Sequence, residues 1–286
     1  MIRHLTYLVL LASALLTAAA PDTITLVTRN FPPGWISDGH YAGKGFLQKG
    51  LAMVKKELPE YVHLTEDMSN ERMLFLLKNG KKYCRGSLKK TPDNIKIADF
   101  SISSIIYPSV RLYFRKADAD RFKKFITAGK ISLDRIMQDN NYSLGRETIR
   151  NYDDITNAII KKHAPGANIV YRISTDAEAL VKMLIASRFD YILEYPYTVS
   201  FVLKSQKLPL DELISVPVAE IREQFQLAHI AVPKNQWGHK VLADINRVLI
   251  KLKKSPEYKA LLEEWLPAED LPAYREYYDK VFINSR

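Results

Sequence analysis

The chain has 286 residues, of which 42 are Lys or Arg and 32 are Asp or Glu, so its formal net charge is +10 at pH 7. Basic residues are spread along the chain with acidic ones between them, and no basic block carries spaced aromatics, so no nucleic-acid partner is indicated. A single cysteine, Cys84, excludes an intramolecular disulfide and is interpreted as a small buried apolar residue. The six histidines show no metal-ligand spacing, and neither a metal nor a cofactor is expected.

The first 20 residues have the pattern of a secretory signal peptide. Arg3 gives a short positive start, Leu5 to Leu16 is apolar, and small residues surround Ala20. The apolar run is too short for a membrane-spanning helix. We therefore predict a cleavable signal peptide at residues 1–20 and a periplasmic location, with an uncleaved anchor as the alternative.

Strand and helix patterns alternate through the next stretch of the chain. Thr23 to Phe31 and Val62 to Met68 are β-rich runs, and an amphipathic helix pattern follows each of them. The first helix opens at Gly45-Phe46 and the second stops at Gly80. Because strands that alternate with helices form parallel sheets, this part predicts a parallel α/β layer.

Gly86 to Ser101 is the most informative stretch. Tyr83 to Leu88 is predicted to be the end of a strand, and Thr91 to Asn94 is a turn signature. Polar groups are dense here, in Ser87, Lys89, Lys90, Thr91 and Asn94. Because open α/β sheets bind ligands at strand ends that face a crevice, this loop is a candidate binding loop, and an ordinary solvated loop is the alternative.

The alternating pattern restarts at about Ala117 and continues toward the C-terminus. We predict a short helix at Leu133 to Met137, a longer one at Asp153 to His163 and an amphipathic helix after Trp237. Strand-like runs lie at Val110 to Lys116, Tyr142 to Gly145, Ile169 to Ile173, Leu213 to Val218 and Phe225 to Val232. Leu271 to Arg286 is predicted to form one more, Tyr-rich helix without an assigned role.

The central stretch resembles the Ser-Leu-x-x-Thr-x-x-Arg-x-x-x-x-x-Phe-Ser segment of the family 3 periplasmic solute-binding proteins, the bilobed receptors of ABC transporters. The residues in register are Ser87, Leu88, Thr91, Phe100 and Ser101. Asn94 stands where the amino-acid binders of this family have an Arg that grips the α-carboxylate. The resemblance extends over nearly the whole chain, from about Thr23 to Leu266. Because Asn94 can donate hydrogen bonds but brings no charge, a standard α-amino acid is disfavoured as the ligand.

Candidate positions in two further segments follow from the resemblance. The family's first strand leads into a Pro-and-aromatic loop that covers the ligand, which makes Phe31 and Trp35 candidates, with core packing as the alternative. The family's Gly-Thr-Thr-like loop is replaced here by Ile149, Arg150 and Asn151. Arg150 is a candidate for restoring the positive charge that is absent at Asn94, and a surface arginine is the alternative.

The family's last ligand-binding Asp, which pairs with a ligand ammonium, aligns with Tyr195. Glu194 lies one residue earlier. Because neighbouring strand residues face opposite sides, we expect Tyr195 to line the cleft and Glu194 not to.

We predict an α/β protein with the bilobed type II periplasmic-binding-protein fold, in which two crossing segments join two α/β lobes. Lobe 1 is expected at 21–114 plus 223–286 and lobe 2 at 115–222. The predicted ligand contacts are Phe31, Trp35, Ser87, Lys89, Asn94, Arg150, Asn151 and Tyr195.

The resemblance implies a monomeric periplasmic binding protein that captures a small polar or anionic solute, with an ABC permease or a sensor kinase as its partner. The alternatives are a ligand-presenting sensor component and a cyclic-acid dehydratase-like enzyme on the same fold. Such an enzyme needs an acid and a base in the cleft, and Glu194 and Lys89 are the only obvious pair.

Overall fold

The structure is a computed structural model, and it describes residues 21–148, 150–173 and 177–285. The predicted signal peptide at residues 1–20 lies outside the described residues, as does Ile149 of the predicted second-lobe loop. Within the described ranges, no helix combines the length and the hydrophobicity that crossing a bilayer requires.

Twelve strands are present in the described residues. In chain order they are β1 Thr23–Thr28, β2 Val62–Asp67, β3 Tyr83–Leu88, β4 Ala98–Pro108, β5 Arg111–Arg115, β6 Ile126–Thr127, β7 Lys130–Ile131, β8 Leu144–Glu147, β9 Ile169–Arg172, β10 Tyr191–Glu194, β11 Leu213–Pro217 and β12 Phe225–Pro233.

The α-helices of the described residues are α1 Phe46–Lys56, α2 Asn70–Lys78, α3 Pro92–Ile97, α4 Ala119–Phe122, α5 Leu133–Met137, α6 Asp154–His163, α7 Ala177–Ile185, α8 Pro196–Ser205, α9 Gln236–Leu252, α10 Pro256–Lys259 and α11 Leu271–Tyr277. Short 3₁₀ turns lie at Lys116–Asp118, Lys123–Phe125, Glu263–Trp265 and Ala268–Asp270, and a π turn follows at Tyr278–Phe282.

Ten of these strands form two five-stranded mixed sheets, one in each lobe, and β6 and β7 form a two-stranded antiparallel sheet. The first has the order β2-β1-β3-β12-β4, in which β1 is parallel to β2 and β3 while β12 is antiparallel to β3 and β4. The second has the order β11-β5-β10-β8-β9, in which β8 is parallel to β9 and β10 while β5 is antiparallel to β10 and β11. The predicted α/β class is thereby confirmed.

Two short segments cross between the lobes and are hydrogen-bonded to each other. The first crossing joins β4 to β5, and the second joins β11 to β12. The backbone N–H of Ser109 donates to the carbonyl of Gln224 (2.9 Å), and the Ser109 hydroxyl donates to the carbonyl of Glu223 (2.5 Å). The predicted lobe boundary after residue 114 is too late, because β5 belongs to the second sheet.

The stretch predicted as a turn, Thr91 to Asn94, is instead the beginning of α3. Thr91 is the N-cap, since its hydroxyl accepts a hydrogen bond from the backbone N–H of Asn94 (3.3 Å), and Pro92 is the first helical residue. A Thr-Pro-Asp sequence suits both a turn and a helix start, and here the helix forms.

Helix α8 lies between the two lobes. Every residue from Pro196 to Leu203 is buried. The Phe201 ring contacts the Trp265 ring (centroids 5.3 Å apart) and the Tyr41 ring (5.7 Å), both in the first lobe. A helix that is buried on all sides needs neighbours on each face, and α7 of lobe 2 and the surface of lobe 1 enclose α8 together.

The Tyr-rich C-terminal segment packs on the first lobe and reaches the crossing. Tyr274, Tyr278 and Phe282 are buried, and the Tyr278 hydroxyl donates to the carbonyl of Lys253 (3.0 Å). Just before this segment, Asp270 accepts a hydrogen bond from Arg111 of β5 (2.6 Å). The C-terminal segment therefore packs beside the junction of the lobes and stabilises it.

One cation is buried beneath this segment. Lys253 is 1% exposed, and its ammonium group donates to the Ser103 hydroxyl and to the carbonyl of Ser285 (3.0 Å each). Burial lowers the pKa of Lys253 to about 8.

Candidate functional site

A cleft of about 760 Å³ lies between the lobes. It is located at the carboxyl ends of β1 and β3 in the first lobe and of β8 and β10 in the second. Its lining residues are Val27, Thr28, Arg29, Asn30, Phe31, Trp35, Phe46, Leu47, Leu51, Asn70, Glu71, Arg85, Gly86, Ser87, Ile105, Tyr107, Glu147, Thr148, Arg150, Asn151, Tyr195 and Tyr197. Both the volume and the position at strand ends are typical of small-molecule sites.

The structure brings most of the predicted contacts together in this cleft. The predicted residues that line it are Phe31, Trp35, Ser87, Arg150, Asn151 and Tyr195. Lys89 and Asn94 do not line it. The Asn94 amide donates to the carbonyl of Lys89 (2.9 Å), and the Lys89 ammonium lies 5.7 Å from the centre of the Tyr107 ring.

Phe31 and Trp35 lie on a tight loop after β1. A two-way backbone bridge joins them, with Phe31 N–H to Trp35 carbonyl at 2.8 Å and the reverse bond at 2.9 Å. Both side chains are half-buried, line the cleft and pack against the core. The core-packing alternative is therefore observed, and the cover of a ligand by these rings stays a prediction.

Arg150 and Glu194 form a buried ion pair at the lobe 2 wall. Glu194 is 0% exposed and Arg150 is 12% exposed, and the Glu194 carboxylate also accepts the backbone N–H of Tyr195 (2.8 Å). Burial disfavours the charged form of Arg150, but the Glu194 carboxylate and the neighbouring tyrosines together outweigh this and hold the pKa of Arg150 above its usual range. Burial raises the pKa of Glu194, and the guanidinium opposes that rise. The surface-arginine alternative for Arg150 is wrong.

Three aromatic rings surround the Arg150 guanidinium. Its central carbon lies 5.4 Å from the ring centre of Tyr195, 5.8 Å from that of Phe31 and 5.9 Å from that of Tyr152. These distances suit cation–π attraction. Because Phe31 belongs to lobe 1, Arg150 links the two walls of the cleft.

Aromatic side chains from both lobes also meet directly. Tyr195 and Tyr197 of lobe 2 are stacked with ring centres 5.4 Å apart and planes at 6°. Tyr197 meets Phe46 edge-to-face at 5.4 Å, and Tyr195 meets Tyr107 at 5.9 Å. Edge-to-face pairs of this kind add about 0.5–1.5 kcal/mol each beyond area burial. They hold the walls of the cleft together.

Sequence reasoning missed two cations on the lobe 1 wall, Arg29 and Arg85. Arg29 follows the end of β1, and Arg85 lies within β3, two residues before the predicted contact Ser87. Side chains two residues apart in a strand lie on the same face, so the prediction that Ser87 faces the cleft also indicates that Arg85 does. Tyr107 and Tyr197 had no comparable signal, because their position depends on how the lobes meet.

No protein-family model and no curated protein matches this chain. Solved structures do match. An ancestral arginine-binding protein bound to arginine has a TM-score of 0.61 and 18% identity, covering 86% of this chain and 99% of its own. An amino acid ABC transporter substrate-binding protein from Streptococcus pneumoniae, bound to L-arginine, has a TM-score of 0.59 and 16% identity, covering 85% and 94%. A histidine kinase sensor domain with similarity to periplasmic binding proteins has a TM-score of 0.60 and 16% identity, covering 86% and 96%.

The chain has the bilobed periplasmic-binding-protein fold. At these identities the likeness concerns the fold alone. The side chains that line the cleft are described for this chain alone. Two lobe 1 arginines, an ion-paired lobe 2 arginine and a belt of aromatic rings define it.

Proposed function

We propose that this chain is a solute-binding protein that captures one small polar or anionic solute between its lobes. The observation that carries the proposal is the cleft of about 760 Å³ at the strand ends of both lobes. Each lobe contributes polar and aromatic side chains to it, so a ligand in the cleft contacts Ser87 and Arg85 on one wall and Asn151 and Tyr195 on the other.

The two crossings suit closure around a ligand. Two short segments connect the lobes in the described residues, and a ligand that bridges both walls stabilises the closed arrangement more than the open one. The hydrogen bonds at Ser109 keep the crossings together while the lobes move about them. Binding is therefore expected to shift the protein toward its closed form.

A thermal-shift screen of the protein without residues 1–20 tests the proposal. The panel contains amino acids, organic acids, sugars and nucleobase-like compounds. A ligand present at 100 times its dissociation constant stabilises the folded state by about 2.7 kcal/mol, which is a clear shift in melting temperature.

Two tyrosine variants control the screen. Tyr195→Ala removes a cleft side chain and is expected to abolish the ligand-induced shift, whereas Tyr171→Ala, an exposed tyrosine on β9, is expected to keep it. A panel that gives no shift at all, or equal shifts in both variants, would contradict a solute-binding cleft.

We further propose that the protein binds its solute without changing it. The pair considered for a dehydratase-like enzyme is not in place, since Glu194 is enclosed in its ion pair and Lys89 does not line the cleft. Of the three similar structures described above, two are binding proteins and one is a sensor domain, which agrees with a binding role. Mass spectrometry of the solute after prolonged incubation is expected to return it unchanged, and a product lighter by one water would refute this.

We propose that the protein is periplasmic and passes its solute to an ABC permease. The basis is the signal-peptide pattern of residues 1–20 together with the ABC transporter component among the similar structures. N-terminal sequencing of the exported protein is expected to begin at about Pro21. Deleting the gene is expected to abolish uptake of the labelled solute, and an intact uptake with a lost transcriptional response would favour the sensor role instead.

A further inference from the structure

The charges that face the cleft are unequally compensated. In lobe 2, Glu194 neutralises Arg150. In lobe 1, Arg29 is exposed and close enough to Glu71 to help lower the pKa of that carboxyl, although the helix backbone and Ser69 contribute more. Arg85 is less exposed than Arg29, and in the part of the chain that the structure describes its guanidinium is hydrogen-bonded to no carboxylate. Arg85 is therefore a half-buried cation of the cleft wall that no ion pair neutralises among the described residues, although Asp67 attracts it without a salt bridge.

The backbone of Arg85 is held rigidly. It lies on β3, the central strand of the first sheet, opposite Val27 of β1 and Ala231 of β12. Its Nε donates to the carbonyl of Ser87 (3.3 Å), which directs the side chain along the strand toward the cleft. The two terminal Nη groups have no hydrogen-bond partner among the described residues. They form a planar fork that matches a carboxylate.

The position of Arg85 is electrostatically costly for the empty protein. Burial and the nearby Arg29 lower the pKa of Arg85 to about 10, and Asp67 opposes this only in part. A cation that loses water without gaining a counter-ion destabilises the folded state. Such a cost is typical of functional sites, where a ligand supplies the missing charge.

We infer that Arg85 is the anion-binding residue of the cleft and that its ligand is a small organic acid, with the carboxylate on Arg85 and a flat apolar body against the aromatic side chains. This inference rests on the proposed solute-binding function. It moves the anion contact from Asn94 on α3, which does not line the cleft, to Arg85 on β3, the central strand of the first sheet. Arg29 contributes a second positive charge at the cleft rim.

The rest of the cleft suits such a ligand. Phe31 and Trp35 are half-buried and Tyr195 lies on the opposite wall, so a flat body is enclosed between rings from both lobes. Ser87 lies beside Arg85 on the same strand and supplies a hydroxyl for the carboxylate. The positive charge on Arg150, by contrast, is already paired and does not need a ligand anion.

Isothermal titration with matched acid and amide pairs tests this inference. The probes are benzoate against benzamide, 4-hydroxybenzoate against 4-hydroxybenzamide, phenylacetate against phenylacetamide, and inorganic phosphate. We expect one carboxylate to bind at least about tenfold more tightly than its amide, because a hydrogen bond to a charged group is lost in the amide. Arg85→Gln is expected to weaken that carboxylate by about tenfold to a hundredfold and to leave the amide unchanged.

Two controls separate the role of Arg85 from a structural one. Arg247→Gln removes an equal charge from an exposed site in the same lobe (62% exposed) and is expected to leave binding unchanged. The empty Arg85→Gln protein is expected to melt no lower than the wild type, since it loses a half-buried charge that has no ion-pair partner among the described residues. A clear fall in its melting temperature would show that Arg85 is structural and would overturn the inference.

The remaining outcomes are decisive as well. Equal affinity of Arg85→Gln and wild type for the carboxylate, equal affinity of acid and amide, or binding of phosphate alone would each overturn the inference. No carboxylate binding up to about 1 mM would do the same. If a neutral or cationic solute of the wider panel then binds and Tyr195→Ala abolishes it, the solute-binding function stands and only the anion inference fails. If nothing binds, both fail.

Discussion

Replacing Glu194 by Gln should destabilise the protein strongly. The substitution keeps the shape of the side chain but leaves the guanidinium of Arg150 with no counter-charge at a site where the two side chains are 0% and 12% exposed. Two unit charges about 4 Å apart attract by about 4 kcal/mol at an effective dielectric constant of 20. This agrees with the cost of about 3–5 kcal/mol that is typical when one partner of a buried pair is removed. We therefore expect Glu194→Gln to lower the free energy of unfolding by about 3–5 kcal/mol.

Urea unfolding followed by circular dichroism measures this loss as a lower midpoint at an unchanged slope. Glu264→Gln is the matched control, because its carboxylate pairs with Lys49 at the surface (45% exposed), and it should cost less than about 1 kcal/mol. The double variant Glu194→Gln with Arg150→Met removes both charges and should be more stable than Glu194→Gln alone. Equal losses in Glu194→Gln and Glu264→Gln would refute this reasoning.

Three further predictions concern stability. Burial lowers the pKa of His229 below its usual 6.5, so the unfolded chain takes up the proton first and stability should fall as the pH drops below about 6.5; in His229→Gln, urea midpoints measured from pH 7.5 to 5 should show less of this fall. Burial lowers the pKa of Lys253 from 10.5 to about 8, so between these pH values the unfolded chain again binds the proton more readily than the folded protein. The stability of the wild type should therefore rise from pH 8 to 10.5 relative to that of Lys253→Met, and the same pH dependence in both proteins would contradict this. Gly86→Ala would place a methyl group 2.6 Å from Leu51 and should cost about 1–3 kcal/mol of unfolding free energy, whereas Gly166→Ala, with open space around it, should stay within about 0.5 kcal/mol in the same assay.

Most of the fold could be predicted from local patterns. The segments predicted as strands between Thr23 and Val232 lie close to observed strands. Stretches of β-branched and aromatic residues between turn signals are a strong local indication of a strand. The lobe boundary could not be placed to the residue. Arg111–Arg115 is a β-rich run that either sheet could accept by composition, and only its pairing with β10 and β11 assigns it to the second.

The cleft could be predicted only in part, because alignment with a motif does not show how far a side chain extends or in which direction it points. Asn94 occupies the position of a family arginine, but an Asn side chain is several atoms shorter and here turns back to the carbonyl of Lys89. The partnership of Arg150 with Glu194 joins residues 44 positions apart, so no local pattern contains it. Residues of this kind become visible only when the sheet order is known.

The packing of α8 between the lobes has a practical consequence. The chain has three tryptophans: Trp35 lines the cleft, Trp265 contacts Phe201 of α8 across the lobes, and Trp237 stands apart from both at the start of α9. Intrinsic fluorescence should therefore carry two separable signals. Trp35 emission should follow the arrival of the solute, and Trp265 emission should follow the separation of the lobes. Stopped-flow traces of Trp35→Phe and Trp265→Phe would then give the order in which binding and closure occur.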